Sequence, residues 1–434
     1  MVIVVGAGPA GAVAARTLAR AGVPVTLLER AAGFPRNKPC GGGISIRVLS
    51  RFPWLEPTLA SIATLRLSRL YLEGPDGDST VIASDNAAVL MIRRVEFDAV
   101  LVREATDAGA TLVTGVEIVR AKATPDLVVL EARDGRRFEA PVVIAADGVH
   151  SIVARRLGLN PGWPPGSVAV DMMEETPRDT LDADRSTLWV SYGYAARANS
   201  RTHDTTRAPE GYAYIFPKRD HVNVGIGYVL DHFRADVDAH PYALQQEFVA
   251  HLRDRGLVTG GSVRKNFTPF IIPVGGPLKR PGDGRVLLAG DAGGFVNGFT
   301  AEGIYYAMVT GEHAARAVIA TAPRDIPSRL ASRYHKAWRR EVGAELRDSV
   351  LVRRYLFADR RRIARVIAAA RHDPAITRSV LDYAMGRASY AGVRRRVIAG
   401  APVVAARLLI DHVRTRLLQP GNSRATISTP PGQV

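Results

Sequence analysis

The chain opens on an unbroken apolar run, Val2 to Val5, as expected of a strand buried on both faces of a parallel sheet. The glycine-rich turn Gly6-Ala7-Gly8-Pro9-Ala10-Gly11 follows, then apolar positions at helical spacing over 12–21, closed by Gly22. Pro24 to Leu28 is a second apolar run, ended by Glu29. Two later runs have the same character: 142–146 ends in Asp147-Gly148, and 285–289 ends in Gly290-Asp291. A glycine-rich stretch and a helix from about Thr300 come next. In between, the period shortens to two. Alternation puts Tyr212, Tyr214 and Phe216 on one face of a predicted strand, with Val222, Val224 and Ile226 alternating in the next. A helix is expected over Phe97–Ala108, and Ser45 is placed to cap another. Beyond Pro327 the pattern turns helical, with Ile363, Val366, Ile367 and Ala370 recurring between arginines.

Strand, glycines, helix, strand and terminal acid in this register form a dinucleotide-binding fingerprint. Gly6 permits the tight turn, Gly8 lets the backbone approach a pyrophosphate, and Gly11 lets helix and strand pack closely. The pyrophosphate would sit on the helix N-terminus, where free N–H groups and the dipole favour anions. Glu29 would accept hydrogen bonds from a ribose 2′-hydroxyl, and its charge disfavours an NADP 2′-phosphate. Asp147 and Asp291, each at a strand end, favour FAD over NAD. Asp291 can hydrogen-bond a ribityl chain. The helix start near Glu302, Gly303 and Ile304 can stabilise negative charge on a reduced flavin.

With these three motifs in order, residues 1–325 resemble the group A flavin-dependent monooxygenase and reductase superfamily. Arg94-Val95-Glu96-Phe97-Asp98 matches its R-x-x-F-D element, which implies that Arg94 lies near the flavin; spacing alone equally allows a surface arginine opening a helix. Lys38-Pro39-Cys40-Gly41-Gly42-Gly43-Ile44-Ser45 narrows the match. Three glycines after the only cysteine describe backbone packed against something flat or bulky. The segment resembles the Cys-Gly-Gly motif of the geranylgeranyl reductase family, which lies beside the isoalloxazine ring. Pro209 to Pro217 is similar to that family's P-x-x-Y-x-W-x-F-P motif, with Tyr214 where Trp is usual.

The resemblance implies an FAD-dependent reductase that saturates isolated double bonds of a geranylgeranyl or polyprenyl group, on a lipid, diphosphate, chlorophyll precursor or quinone. It implies cofactor contacts at Gly6, Gly8, Ala10, Gly11, Glu29, Cys40, Gly41, Gly43, Arg94, Ile118, Asp147, Gly290, Asp291, Gly303 and Ile304. It also implies a substrate wall of Tyr212, Tyr214, Phe216 and Pro217. Cys40 is the candidate catalytic residue, to position or protonate the alkene; a tyrosine or trapped water is the alternative donor. No second glycine fingerprint follows a strand, so the electron donor is either transiently bound NAD(P)H or a reduced ferredoxin-like protein. Aromatic hydroxylases share the FAD motifs without a reason for the Cys-Gly-Gly turn, and a non-catalytic lipid-binding protein is the third reading.

Composition sharpens the picture. The 434 residues are 47% hydrophobic and 23% charged, a folded and not a disordered chain. One cysteine excludes internal disulfides and cysteine-ligated iron–sulfur clusters, and no metal site is predicted. The net charge of +16 is uneven. Residues 331–434 hold 21 Lys and Arg against 7 Asp and Glu, a net of +14; residues 1–330 hold 37 against 35, a net of +2. Without a nucleic-acid module or interleaved aromatics, this basic quarter suits an anionic membrane surface, over 333–416, better than nucleic acid.

The predicted fold class is α/β: a doubly wound FAD-binding Rossmann-like domain with an inserted antiparallel β substrate domain and a C-terminal helical region. The FAD domain is placed at 1–65, 90–160 and 275–325, and the substrate domain at 66–89 and 161–274. A basic helical region covers 326–418 and a disordered tail 419–434. The opening leaves no room for a signal peptide, and the apolar run Val397 to Ala406 falls short of the about 20 residues that span a bilayer. The expected location is cytoplasmic, peripheral at the inner face of the cell membrane.

Overall fold

The computed structural model describes residues 1–195, 208–237, 239–385, 387–396 and 398–399. Val2–Val5 is buried at every position and lies inside a six-stranded sheet, in the order 282–283, 286–288, 142–145, 2–5, 25–28, 111–113. Val2 pairs in parallel with both Val25 and Val142, so the three motif-bearing strands end side by side. Only the edge strand Gly282–Asp283 is antiparallel.

Because successive side chains of a strand point to opposite faces, the sheet has two cores. Val2, Val4, Leu27 and Ile144 meet the helices Pro9–Arg20, Arg94–Asp107 and Ile304–Ile319. Ile3, Val5, Leu28 and Val143 meet a three-stranded antiparallel layer, 118–123, 128–132 and 137–140, and the short helix Ile152–Arg156. Two of these helices nearly touch backbone to backbone. A Cβ on Gly311 would lie 2.1 Å from the Ala10 carbonyl oxygen, so only glycine allows the crossing.

The second large sheet has seven strands, ordered 267–273, 168–177, 221–229, 211–217, 187–192, 69–73 and 79–83. All pairings are antiparallel except that of 187–191 with 69–73. The helix Pro241–Asp254 buries Leu244, Phe248 and Leu252 against Ala213, Ile215, Val222, Val224 and Ile226. Ile215 pairs with Val224 and Tyr214 with Gly225, so the valine row lies on the face opposite Tyr212, Tyr214 and Phe216. One face is therefore sealed by a helix, and the aromatic face is the one left to form a site.

The chain then runs through helices Ile326–Trp338, Ala344–Phe357, Arg360–His372 and Pro374–Ala384. Leu330, Tyr334, Trp338 and Leu346 are buried in the core on the helix-covered face of the six-stranded sheet, so part of the basic segment belongs to the core. Ile363 and Ile367 are buried beside Leu356 and Phe357, whereas Val366 is 51% exposed. Val366 stands about 100° round the helix from Ile367, outside the packed stripe.

Three local expectations are corrected. The helix expected from Thr300 begins at Ile304, because Asn297 Oδ1 accepts the N–H groups of Phe299 and Thr300, and Ala301 turns through φ +56°. Such a turn competes with helix. Ser45 is no helix cap; it ends the strand Gly43–Ser45, and the next helix starts after Ile46 without a side-chain cap. The helix expected from Phe97 starts earlier, at Arg94.

Residues 1–387 form one unit, and the described part of the second, 388–434, is helical over 390–396. Most of the Val397 to Ala406 run and of Arg394–Arg416, and all of the tail 419–434, lie outside the described residues. Among the described residues, no helix is long and apolar enough to cross a membrane.

Candidate active site

The three glycines of the first turn have different surroundings. Gly6 has φ +93°, and a Cβ there would lie 2.4 Å from the Ala146 carbonyl oxygen; on Gly11 it would lie 1.8 Å from the Gly6 oxygen. Both are demanded by the fold. Gly8 is extended, and a Cβ there would meet only two guanidinium groups, those of Arg36 at 3.6 Å and Arg94 at 3.9 Å. Two cations thus point at the one glycine that packing leaves free, at the start of the helix Pro9–Arg20.

Asp98, fully buried, holds both cations. Arg94 donates to it from Nε and Nη2 at 2.6 and 2.8 Å, and Arg36 from Nη2 at 2.9 Å. Arg94 is buried rather than a surface residue, and the Asp98 charge keeps it protonated. Arg36 Nε is buried without a hydrogen bond and faces Glu29 Oε2 at 3.7 Å, an ion pair beside the glycine turn. Glu29 Oε2 accepts from the Ala7 N–H at 2.9 Å and Oε1 from Ala31 at 3.0 Å. A carboxylate has about four lone-pair sites, so Glu29 keeps acceptor capacity beyond these two bonds, with Arg36 beside it.

The other strand ends converge on the same edge of the sheet. Asp147 Oδ2 accepts from the Ile152 N–H at 2.9 Å, while Oδ1 is buried without a partner; burial pushes this carboxyl up. Asp291 is also pushed up by burial, against the pull of Lys38 and Arg94. Asp291 Oδ1 lies 3.4 Å from where a Gly303 Cβ would be, beside the N-terminus that begins at Ile304. Gly290 and Ala10 serve packing: a Cβ on Gly290 would come within 3.0 Å of the Ala10 methyl. Ile118 stands apart. Its side chain is buried in the core below the sheet, and only the neighbouring backbone, through Val116 N–H to the Glu29 oxygen at 2.8 Å, ties it to the site.

The Cys40 segment joins this edge to the aromatic face of the second sheet. Cys40 Sγ accepts from the Gly42 N–H at 3.4 Å and lies beside the Arg94 guanidinium, and Asn223 Nδ2 donates to the Cys40 carbonyl at 3.1 Å. The flat surface against Gly41 is the chain's own Phe216, whose ring is 2.8 Å from a Cβ built there; Gly43 meets only ordinary contacts. Phe216 and Tyr214 rings stand 4.3 Å apart, and Tyr214 and Tyr212 5.9 Å apart. Tyr212 donates to the Thr300 carbonyl at 2.7 Å. Pro217 is buried at the end of this strand and does not join the aromatic cluster.

A small, partly open apolar pocket runs along this wall. Tyr212, Tyr214, Tyr228, Phe299 and Phe357 line it, with Asp171 at one wall and the Arg353–Glu210 ion pair, 3.1 Å, at another. Sequence patterns did not single out Asp171, Lys38, Asp98 or Glu302. Burial pushes Asp171 up to about 7, and burial with the nearby Arg94 charge brings Lys38 down to about 7. Lys38 Nζ sits 2.8 Å from the Phe270 ring centroid, a cation–π contact. Glu302, pushed up by burial, accepts from the Ser45 N–H at 3.0 Å. Asp171 left a trace in the sequence, as the only charge within the apolar run 168–173, and Lys38 and Asp98 sit inside quoted motifs.

A parallel sheet with a glycine turn, an unpartnered buried carboxylate oxygen at one strand end and an apolar pocket alongside define an FAD-dependent oxidoreductase. An FAD binding domain model matches residues 1–198. Digeranylgeranylglycerophospholipid reductase 1 of Methanopyrus kandleri is 34% identical over 349 residues, 78% of this chain and 86% of that protein. Protein FixC of Escherichia coli K12 is 32% identical over 340 residues, 74% of this chain and 77% of its own. A geranylgeranyl bacteriochlorophyll reductase-like protein of Thermoplasma acidophilum has the same fold, with TM-score 0.74 at 20% identity over 92% of this chain and 98% of that one. The chain belongs to the geranylgeranyl reductase family.

Proposed function

We propose that this protein saturates isolated C=C bonds of a geranylgeranyl or other polyprenyl group, carried on a lipid, diphosphate, chlorophyll precursor or quinone. The observation that carries the proposal is the apolar, aromatic-lined pocket, whose wall residue Tyr214 lies against Gly41 of the Cys40 loop. An isolated alkene offers no carbonyl to polarise, so its recognition must rest on shape and apolar contact. The likeness to lipid reductases that act on geranylgeranyl groups supports the same substrate class.

Gly8 and the N–H groups of the helix after it would take the pyrophosphate, with Arg36 and Arg94 beside them. Glu29 would accept from ribose, and Asp291 would hold the ribityl chain. FAD, when bound and reduced, supplies a hydride. Tyr212, Tyr214 and Phe216 would line the alkene's path and exclude water. Cys40 would fix the loop between cofactor and substrate: its sulfur takes the Gly42 N–H, its carbonyl the Asn223 amide. The electron donor would be NAD(P)H or a reduced ferredoxin-like protein.

The docking surface would be the helix Ala344–Phe357 and its neighbour. Phe357 and Arg353 line the pocket, whereas Leu351, Val352 and Tyr355 on the same helix are exposed, with Arg354 between them and Arg362 over the Tyr355 ring at 4.2 Å. Exposed apolar side chains beside arginines suit an anionic lipid surface.

Photoreduced protein incubated with geranylgeranyl diphosphate, an unsaturated archaeal-type lipid and menaquinone should add pairs of hydrogens to at least one of them, read by mass spectrometry. No added hydrogen, together with oxygen insertion into an aromatic substrate in air, would replace this reading with a hydroxylase.

A further inference from the structure

The cavity holds one acidic group in a position to give up a proton. Asp171 is in the middle of the strand Val168–Pro177, and its cross-strand neighbours are Phe270 on one side and Gly227 on the other. Beyond Gly227 comes Tyr212, and beyond Gly225 comes Tyr214. Two glycines therefore interrupt the row of side chains between Asp171 and the aromatic wall. Tyr214 fills the gap: its hydroxyl lies 2.6 Å from where a Gly225 Cβ would be, and it donates to Asp171 at 3.2 Å from Oδ1 and 3.1 Å from Oδ2. Both residues line the cavity.

We propose that Asp171, held and tuned by Tyr214, is the acid that protonates the substrate alkene. This rests on the prenyl-reductase reading above. One alkene carbon receives the hydride from the reduced flavin, forming a C–H bond. The π electron pair takes the proton from the Asp171 carboxyl at the other carbon, forming the second C–H bond and leaving a carboxylate and oxidised flavin. The carboxylate regains its proton from solvent when product leaves. Three groups face Asp171: Tyr214 and Tyr212 from the strand Gly211–Pro217, and Lys38 from the loop before Cys40. The Tyr214 hydrogen bond and the Lys38 charge favour the carboxylate, while burial favours the acid, so the acid is strong enough to react and still protonated near neutral pH.

The test uses Asp171→Asn and Tyr214→Phe, read by infrared spectroscopy of the flavin-free protein and by single-turnover saturation in the flavin-reduced one. In the parent, a protonated-carboxyl band should fade as pH rises through about 7 and be absent from Asp171→Asn. In Tyr214→Phe it should persist to higher pH, because a bond favouring the carboxylate is gone. Asp171→Asn should reduce single-turnover saturation by about 100-fold or more, in the range that general acids contribute, with flavin content unchanged. Asp171→Asn within a few-fold of the parent rate, or a carboxyl band unaltered by the substitution, would overturn the proposal. If Asp171→Asn does not fold, the Tyr214→Phe band decides: an unmoved titration overturns it. A parent that shows the Asp171 band yet saturates no prenyl substrate refutes the prenyl reading and with it the acid's role.

Discussion

Arg94 grips Asp98 one helical turn away, through Nε at 2.6 Å and Nη2 at 2.8 Å, and stays within 3.9 Å of the space a Gly8 side chain would fill. The same carboxylate binds Arg36. Asp98 therefore presets two cations before any anion arrives, removing side-chain entropy from the binding step.

Asp98→Asn should lower FAD affinity by about 10-fold or more, since the amide no longer holds the two guanidinium groups in place. Fluorescence titration of the flavin-free protein would measure this. Unchanged affinity would mean that Arg36 and Arg94 do not act on the cofactor.

Gly8→Ala and Gly11→Ala should part company. A methyl on Gly11 collides with the Gly6 carbonyl at 1.8 Å, so that variant should lose the fold or several kcal/mol of stability. A methyl on Gly8 meets only side-chain ends, so Gly8→Ala should melt within a few degrees of the parent while retaining far less FAD. Parallel melts and flavin content would check both.

Lys218 is 1% exposed beneath the Cys40 loop and pairs with Glu175, which Arg93 also binds at 2.7 Å. Removing Glu175 strands a buried ammonium, whereas removing Lys218 leaves Glu175 with Arg93. Glu175→Gln should cost about 3–5 kcal/mol and Lys218→Met much less, by chemical denaturation.

Lys38 gives a pH signature. Its folded-state value, about 7, lies below the ordinary 10.5, so between these the unfolded chain binds more protons and stability rises with pH through this group. At and below about 7 the buried cation costs its full amount. Lys38→Met should therefore be more stable than the parent at pH 6, with the advantage shrinking toward pH 10. An equal gain at both values would mean that Lys38 does not titrate there.

Cys40→Ser should keep its flavin and lose only a few-fold in turnover, because a hydroxyl can still accept the Gly42 N–H. A loss of 100-fold or more would put proton transfer on the thiol. For docking, Leu351→Asp with Tyr355→Asp should release the protein from anionic vesicles, and high salt should do the same to the parent. Binding indifferent to lipid charge would remove the membrane proposal.

The sequence by itself determined the cofactor end. A glycine turn, an acid at a strand end and an Asp after an apolar run act through the backbone of adjacent residues, so spacing along the chain carries their geometry. It also fixed which residues of 211–217 share a face, since strand alternation is local. Tertiary structure decided the rest. That Asp98 serves two arginines, that Phe216 is the flat neighbour of Gly41, and that Tyr214 reaches Asp171 across Gly225 all depend on segments that meet only through sheet register. Val366 turned outward for the same reason: helical spacing names a stripe, but the packed partner sets its width. Asp171 was visible as a charge in an apolar strand; its meaning came from the two glycines opposite.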